Sequence, residues 1–332
     1  MNIMINKSEI FKSYKSIFLI FFTALVGSGV GVFSKISLRE IPPIAFTLIR
    51  FVLAIIVLLP FLLKSRRFHF KNLKKLFFVS LLATANVTLF VFGVGKTTAT
   101  VSQLLYAGVP LIAGIFSFFL LKEKIYPKKI LGMVMGFAGV IFIILLPVLG
   151  KHSAINGDLV GNLIILLAVF SISLYFVFSK QFQSEYTPLE ITMFFFLVTV
   201  GIQSLLVPLE FRQHQNWWRT LSAEAIFGVF YVGVFATGVY YLVYQYAIKN
   251  TTPVIASMIL YLQPIFAFFW ASALLGEKIT PEFLVGATFA FIGVALVTNF
   301  GKTETKKEFI NKNAVFPKSQ KRSIIGNIKH IA

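Results

Sequence analysis

Long apolar runs separated by short polar stretches organise this chain from end to end. Ten of them fall at approximately 16–34, 44–63, 75–94, 98–121, 130–149, 159–179, 189–208, 225–247, 253–275 and 283–298. Most are about 20 residues long, the length an α-helix needs to cross a hydrocarbon core of about 30 Å. Composition points the same way: 57% of the 332 residues are hydrophobic and 13% are charged, where soluble domains carry about 25% charged residues. A water-soluble fold of this size would have no means of hiding so much apolar surface. The pattern predicts an all-α polytopic membrane protein with ten transmembrane helices. The first apolar run is too long for the core of a secretory signal and no small-x-small cleavage site follows it, so it reads as the first membrane helix. The chain has no cysteine, which removes disulfides, thiolate chemistry and cysteine metal sites.

The net charge of +19 raises the question of nucleic acid, but membrane topology accounts for it better. Lys and Arg collect in cytoplasmic loops and set orientation. With the N-terminus inside, the alternating inside segments hold 23 basic residues and the outside segments hold seven, leaving Arg50 within the second span. Both termini are therefore expected on the cytoplasmic side, which requires an even number of spans. The basic stretch 301–332 is expected to be a disordered cytoplasmic tail near anionic lipid, and residues 1–15 a short cytoplasmic lead-in. The expected location is the inner (cytoplasmic) membrane of a bacterium, with lipid as a partner and nucleic acid excluded.

An internal repeat sharpens this picture. Shifted by 154 residues, positions 97–140 align without a gap at fourteen identities, including Thr97-Thr98 on Thr251-Thr252, Pro110 on Pro264, Glu123-Lys124-Ile125 on Glu277-Lys278-Ile279, and Gly132 and Gly139 on Gly286 and Gly293. Nearer the start of each half the offset is 145, matching Phe33-Ser34-Lys35 to Phe178-Ser179-Lys180 and Pro43 to Pro188. The halves, 16–149 and 150–300, each hold five helices. Five is odd, so the second half enters from the opposite face and the repeats are inverted. Inverted repeats are the architecture of many secondary transporters, with the substrate near the midplane.

These strings carry a family resemblance. Ala247-Ile248-Lys249-Asn250-Thr251-Thr252-Pro253, Leu262-Gln263-Pro264, Leu274-Leu275-Gly276-Glu277-Lys278-Ile279 and the spacing Gly286-x6-Gly293-Val294 resemble the EamA domain of the drug/metabolite transporter superfamily. The first half repeats the pattern in Pro43-x6-Arg50-Phe51, Pro110 and Glu123-Lys124-Ile125-x-Pro127. The resemblance spans nearly all of residues 15–300. It implies ten helices, a central cavity lined mainly by helices 1, 3, 4, 6, 8 and 9, and movement of a metabolite or amino acid, usually export. Some members instead import host metabolites such as S-adenosylmethionine. Many members have a glutamate before the helix-9 proline; here it is Gln263.

Polar side chains inside spans are the candidate substrate contacts, because an unpaired polar group in lipid is costly. They are Asn86 in helix 3, Gln103 and Tyr106 (with Ser102) in helix 4, Tyr175 in helix 6, Tyr240, Tyr241 and Tyr244 in helix 8, and Tyr261 and Gln263 in helix 9. Bonding between helices is the competing role for each. Pro110 and Pro264 are expected to break helices 4 and 9 and to serve gating. Arg50 is the one intramembrane charge; resemblance places it in a peripheral helix and favours a structural role. Glu123 and Glu277 read as structural interface residues beside Lys124 and Lys278. The helix-5 and helix-10 glycines read as close-packing scaffold, with a homodimer seam left open. Gly93-Val94-Gly95-Lys96-Thr97-Thr98 lacks the first glycine of a phosphate loop, Phe90 standing there, so nucleotide binding is set aside. No nucleophile, metal cluster or acid–base pair lies within a span, so no enzyme, cofactor or metal is expected. The expected activity is alternating-access transport of a small polar metabolite, an amino acid or derivative, by an exporter or exchanger. An importer or antiporter of a host metabolite is the alternative, and a structural or regulatory membrane protein is the non-transport reading. With every acid and histidine in loops, tails or near helix ends, proton coupling loses support.

Overall fold

The computed structural model describes residues 21–65, 72–96, 102, 105–123, 125–149, 159–211, 216–263, 265–266, 270 and 284–297. The elements described are helices: α1 Phe21–Ser37, α2 Pro43–Ser65, α3 Leu73–Lys96, α4 Val109–Leu120, α5 Pro127–Leu149, α6 Leu159–Phe182, α7 Pro188–Phe211, α8 Ala223–Asn250, α9 Pro253–Gln263 and α10 Leu284–Val297. α2, α3, α6, α7 and α8 are 23 to 28 residues long with mean hydropathy of 1.9 to 2.7, enough for a bilayer crossing. The ten-helix expectation stands.

Local chemistry sets where the helices begin. α2, α5, α7 and α9 start on Pro43, Pro127, Pro188 and Pro253, where the missing N–H costs nothing. Ahead of α7, Thr187 and Glu190 form a reciprocal capping box: the Thr187 N–H donates to the Glu190 carboxylate at 2.7 Å and the Glu190 N–H to Thr187 Oγ1 at 3.2 Å. Thr252 and Ser222 cap α9 and α8 in the simpler way. At the far end of α7, the Glu210 carboxylate accepts from the backbone N–H groups of Ile44 and Ala45 at 3.0 and 2.8 Å, capping α2 from a neighbouring helix.

The packing has a pseudo-twofold pattern. Exchanging the halves maps α1 on α6, α2 on α7, α3 on α8, α4 on α9 and α5 on α10. α2 packs on α7, and α4 on α9, each pair mapping onto itself. α3 packs extensively on α6, and its image is the packing of α8 on α1; likewise α3 on α7 mirrors α8 on α2. Two odd-numbered five-helix units related in this way are inverted in the membrane.

Polarity runs inside out relative to a soluble protein. Large apolar side chains such as Phe61, Phe119, Leu167 and Leu205 are exposed and supply the lipid-facing surface. Polar side chains are buried between helices: Thr84 shares a hydrogen bond with Thr199 at 2.8 Å, and Gln203 Nε2 donates to Thr88 Oγ1 at 2.6 Å. Each such bond is worth about 0.6 kcal/mol in a membrane bundle.

The glycine stripe is consumed within the chain. A β-carbon at Gly139 would lie 2.6 Å from the backbone nitrogen of Ala290 and from the carbonyl oxygen of Gly286, and one at Gly132 would lie 2.9 Å from the Gly293 carbonyl oxygen. α5 and α10 therefore meet backbone to backbone. These glycines form an intramolecular seam, not a dimer seam, and α5 with α10 is a further helix pair that the repeat symmetry maps onto itself.

Candidate functional site

Three of the helices bordering the protein's central cavity are irregular where they pass it. α1 breaks at Gly29, in the run Gly27-Ser28-Gly29-Val30-Gly31. The chain before α4 turns at Ala107-Gly108; Pro110, at the helix start, has no N–H to offer the Tyr106 carbonyl. The expected break at Pro110 is thus present, whereas Pro264 lies outside the described residues. α8 carries a π-helical segment, Val234–Val239, a distortion that recurs at functional sites. Half-broken helices at mid-membrane are tolerated where they line a cavity.

The cavity measures about 130 Å³ and is lined from both halves of the chain: Gly27, Ser28, Val30 and Gly31 of α1, Arg50 of α2, Asn86 and Phe90 of α3, Ser102 and Tyr106 ahead of α4, Ala236, Tyr240 and Tyr241 of α8, and Leu260 and Gln263 of α9. Asn86 Nδ2 donates to the Tyr106 hydroxyl at 2.6 Å and to the Ala168 carbonyl at 2.8 Å, which fixes Tyr106 at the wall. The side chains of Tyr240 and Gln263 lie side by side over Gly27. Tyr241 leans edge-on against Phe195 at 5.1 Å. A β-carbon on Gly27 would sit 2.6 Å from Gln263 Nε2, so the absence of a side chain there leaves room for that amide.

Of the candidates named from sequence, Asn86, Tyr106, Tyr240, Tyr241 and Gln263 come together at the cavity. Tyr175, Tyr244 and Tyr261 do not line it. Tyr261 donates to the Met133 carbonyl at 2.9 Å and packs its ring on Gly136, tying α9 to α5. Tyr175 accepts from Gln245 Nε2 at 2.9 Å, and Gln183 Nε2 donates to Gln245 Oε1 at 2.6 Å. Tyr244 stacks on Phe176 at 4.2 Å. Together these form a packed layer across the end of the bundle where α6 and α8 finish. There Lys180 Nζ donates to the carbonyls of Ile248, Thr251 and Lys249 at 2.7, 2.6 and 3.1 Å, saturating the end of α8. Gln103 and Glu277 lie outside the described residues. Glu123 follows α4 close to Lys129 and Lys180; burial raises its carboxyl above the ordinary range, against the pull of both lysines.

Two expectations are corrected. α6 contributes nothing to the lining, because its polar and aromatic residues face the packed layer and α3. α2, expected to be peripheral, contributes Arg50, which is 4% exposed and lines the cavity instead of reaching the membrane surface. The helix-1 glycines had no place among the sequence candidates; their alternate spacing, Gly27-x-Gly29-x-Gly31, was the available signal.

Glu40 joins the opposite end of the bundle. Ser222 N–H and hydroxyl both donate to its carboxylate at 2.7 Å and hold it below the usual carboxylate range, linking the α1–α2 connection to the start of α8.

Comparison with known proteins gives the architecture a family. The model of the EamA-like transporter family matches the chain twice, over residues 14–145 and 159–299. The chain belongs to the EamA-like transporter family. As such it is a multi-pass membrane transporter of the drug/metabolite transporter superfamily. Among its relatives, an uncharacterized transporter of Archaeoglobus fulgidus is 26% identical over 291 residues, covering 86% of this chain and 97% of that protein. A WAT1-related protein of Arabidopsis thaliana is 25% identical, covering 90% and 85%. A solved crystal structure superposes with a TM-score of 0.73 at 16% identity, over 87% of this EamA-like transporter and 98% of that chain, a likeness of fold.

Proposed function

We propose that this transporter is a secondary carrier for a small polar metabolite, working by alternating access of its two repeats around the cavity. The observation that carries this reading is the asymmetry of the cavity. Residues of both repeats line it, it lies toward the end where α2 begins, and the opposite end is packed by Tyr175, Phe176, Gln183, Tyr244 and Gln245. With cytoplasmic termini, as the charge count favours, this is an outward-facing arrangement in the inner membrane. Alternating access exchanges a packed end for an open one. Either direction of net movement is compatible with that cycle, and exchange is the mode it suits best.

The test is a metabolite screen in proteoliposomes containing the full chain. Tyr106→Ala and Tyr241→Ala are expected to lower flux roughly tenfold, equivalent to 1.4 kcal/mol, with unchanged membrane insertion and yield. Wild-type flux from both variants would remove this cavity from the pathway.

The lining also predicts the coupling. Among the described residues it includes no Asp, Glu or His, and arginine keeps its charge throughout the physiological range. Imposing a pH gradient of either sign is expected to change initial flux less than twofold, about 0.4 kcal/mol. Flux that follows the gradient would show that a carboxylate elsewhere is in the cycle.

A further inference from the structure

The cavity wall contains a positive charge that no carboxylate balances among the described residues. Arg50 sits about 10 Å along α2 from Pro43, at 1.5 Å per residue, and is 4% exposed. Its Nε has no hydrogen-bond partner, and among the described residues it forms no salt bridge. Four of the described acids are engaged near helix ends, Glu40 by Ser222, Glu190 by Thr187, Glu210 by the start of α2 and Glu185 by Asn72, and Glu123 lies beyond α4 near Lys129 and Lys180. What surrounds the guanidinium is aromatic. The rings of Phe46 and Phe51 lie 5.6 and 5.1 Å from Cζ, and Tyr106 and Tyr241 line the same cavity. Ring faces attract a cation weakly. They do not replace the hydrogen bonds and counter-charge that a buried guanidinium loses on leaving water.

We infer that Arg50 is the anion subsite of the cavity and that the transported solute carries a carboxylate. The inference rests on the carrier reading above and adds the chemical class of its cargo. A guanidinium presents N–H donors in a planar fork that fits the two oxygens of a carboxylate. Two further donors are at hand. The Tyr241 hydroxyl has no hydrogen-bond partner among the described residues, and the Tyr106 hydroxyl, which accepts from Asn86, keeps its own proton to donate. Charge decides between oxyanions. One arginine neutralises one carboxylate, whereas a phosphate monoester brings about −1.5 to −2 charges to a lining with a single cation among the described residues. The rest of the lining, Asn86, Tyr240 and Gln263, is uncharged and sets no requirement for a second ionic group.

The test uses purified full-length protein with matched small probes: lactate and lactamide, alanine and alaninamide, and glycerol 3-phosphate. Two readouts are taken, thermal stabilisation of the detergent-solubilised protein and flux in proteoliposomes. The acids are expected to stabilise and to move at least tenfold better than their amides. Arg50→Gln abolishes that preference, and Arg50→Lys retains part of it. The acid–amide comparison is made on the wild type, so it stands even if Arg50→Gln fails to fold. Equal flux of acid and amide would overturn the anion subsite while supporting the carrier reading. Stabilisation by the acids with no flux would overturn the carrier reading while supporting the subsite. A preference for glycerol 3-phosphate over both acids would overturn the carboxylate assignment, and so would an Arg50→Gln protein that still prefers the acids.

Discussion

Leucine in place of Gly293 is expected to remove folded protein from the membrane. A β-carbon at that position would lie 2.6 Å from the carbonyl oxygen of Gly132 and from the α-carbon of Gly136. Those are backbone atoms of a facing helix, so no side chain can turn aside to make room. Overpacking a core usually costs about 1–3 kcal/mol and sometimes more. Here four side-chain carbons must enter a seam with no space for one, and the cost falls at or above the top of that range. Against a total stability of roughly 5–15 kcal/mol, that is enough to lose the native packing of α5 on α10. The measurement is the yield of monodisperse detergent-solubilised protein and its unfolding temperature. Gly201→Leu is the control, since a β-carbon there meets nothing within 4 Å, and it is expected to behave as wild type. Normal yield and unfolding temperature from Gly293→Leu would mean that the seam is looser than backbone contact.

That seam was legible in the sequence because glycine has one strong reason to recur at fixed spacing in a membrane helix. Gly132 aligns with Gly286 and Gly139 with Gly293 under the repeat offset, and the structure brings the crossed pairs together, Gly132 against Gly293 and Gly139 against Gly286. Five of the polar candidates were legible for a related reason: a polar side chain in a span must face protein or cavity, and Asn86, Tyr106, Tyr240, Tyr241 and Gln263 face the cavity. The same rule does not separate a cavity wall from a helix–helix contact. Tyr175 and Tyr244 satisfy it equally by packing against α6 and α8 neighbours, and Tyr261 by bonding to Met133. Which way a span is rotated depends on its tertiary neighbours, and an all-round apolar helix offers no amphipathic stripe to reveal it. Arg50 was misplaced for this reason; contact of α2 with both α7 and α8 turns it inward. The π-helical segment of α8 leaves no trace in hydrophobic periodicity either. Its extra residue per turn changes the phase of the helix between Gly233 and Tyr240, shifting which of the consecutive tyrosines reach the cavity.

A reversible bridge between residues 183 and 245 is expected to stop transport. The protein has no cysteine, so Gln183→Cys and Gln245→Cys can be introduced without removing anything, and a short thiol-reactive bridging reagent can join them through disulfides. These two side chains meet at 2.6 Å in the packed layer, at the end away from the cavity. Both belong to the second half of the chain, so the bridge blocks transport if opening this end requires α6 and α8 to part within that half. The layer is built to part. The side-chain oxygen of Gln183, Oε1, and the hydroxyl of Tyr244 are buried without a hydrogen-bond partner, and an unmet buried polar group costs about 1–3 kcal/mol. Opening this end admits water to both atoms and recovers part of that cost, so the packed state is held less tightly than an apolar seal of equal area would hold it. The bridged protein is expected to lose at least nine-tenths of its flux, about 1.4 kcal/mol on the tenfold scale, and to regain it on addition of dithiothreitol. Each single-cysteine variant treated with the same reagent is expected to keep transporting. Full flux through the bridged protein would mean that solute crosses without separating α6 from α8.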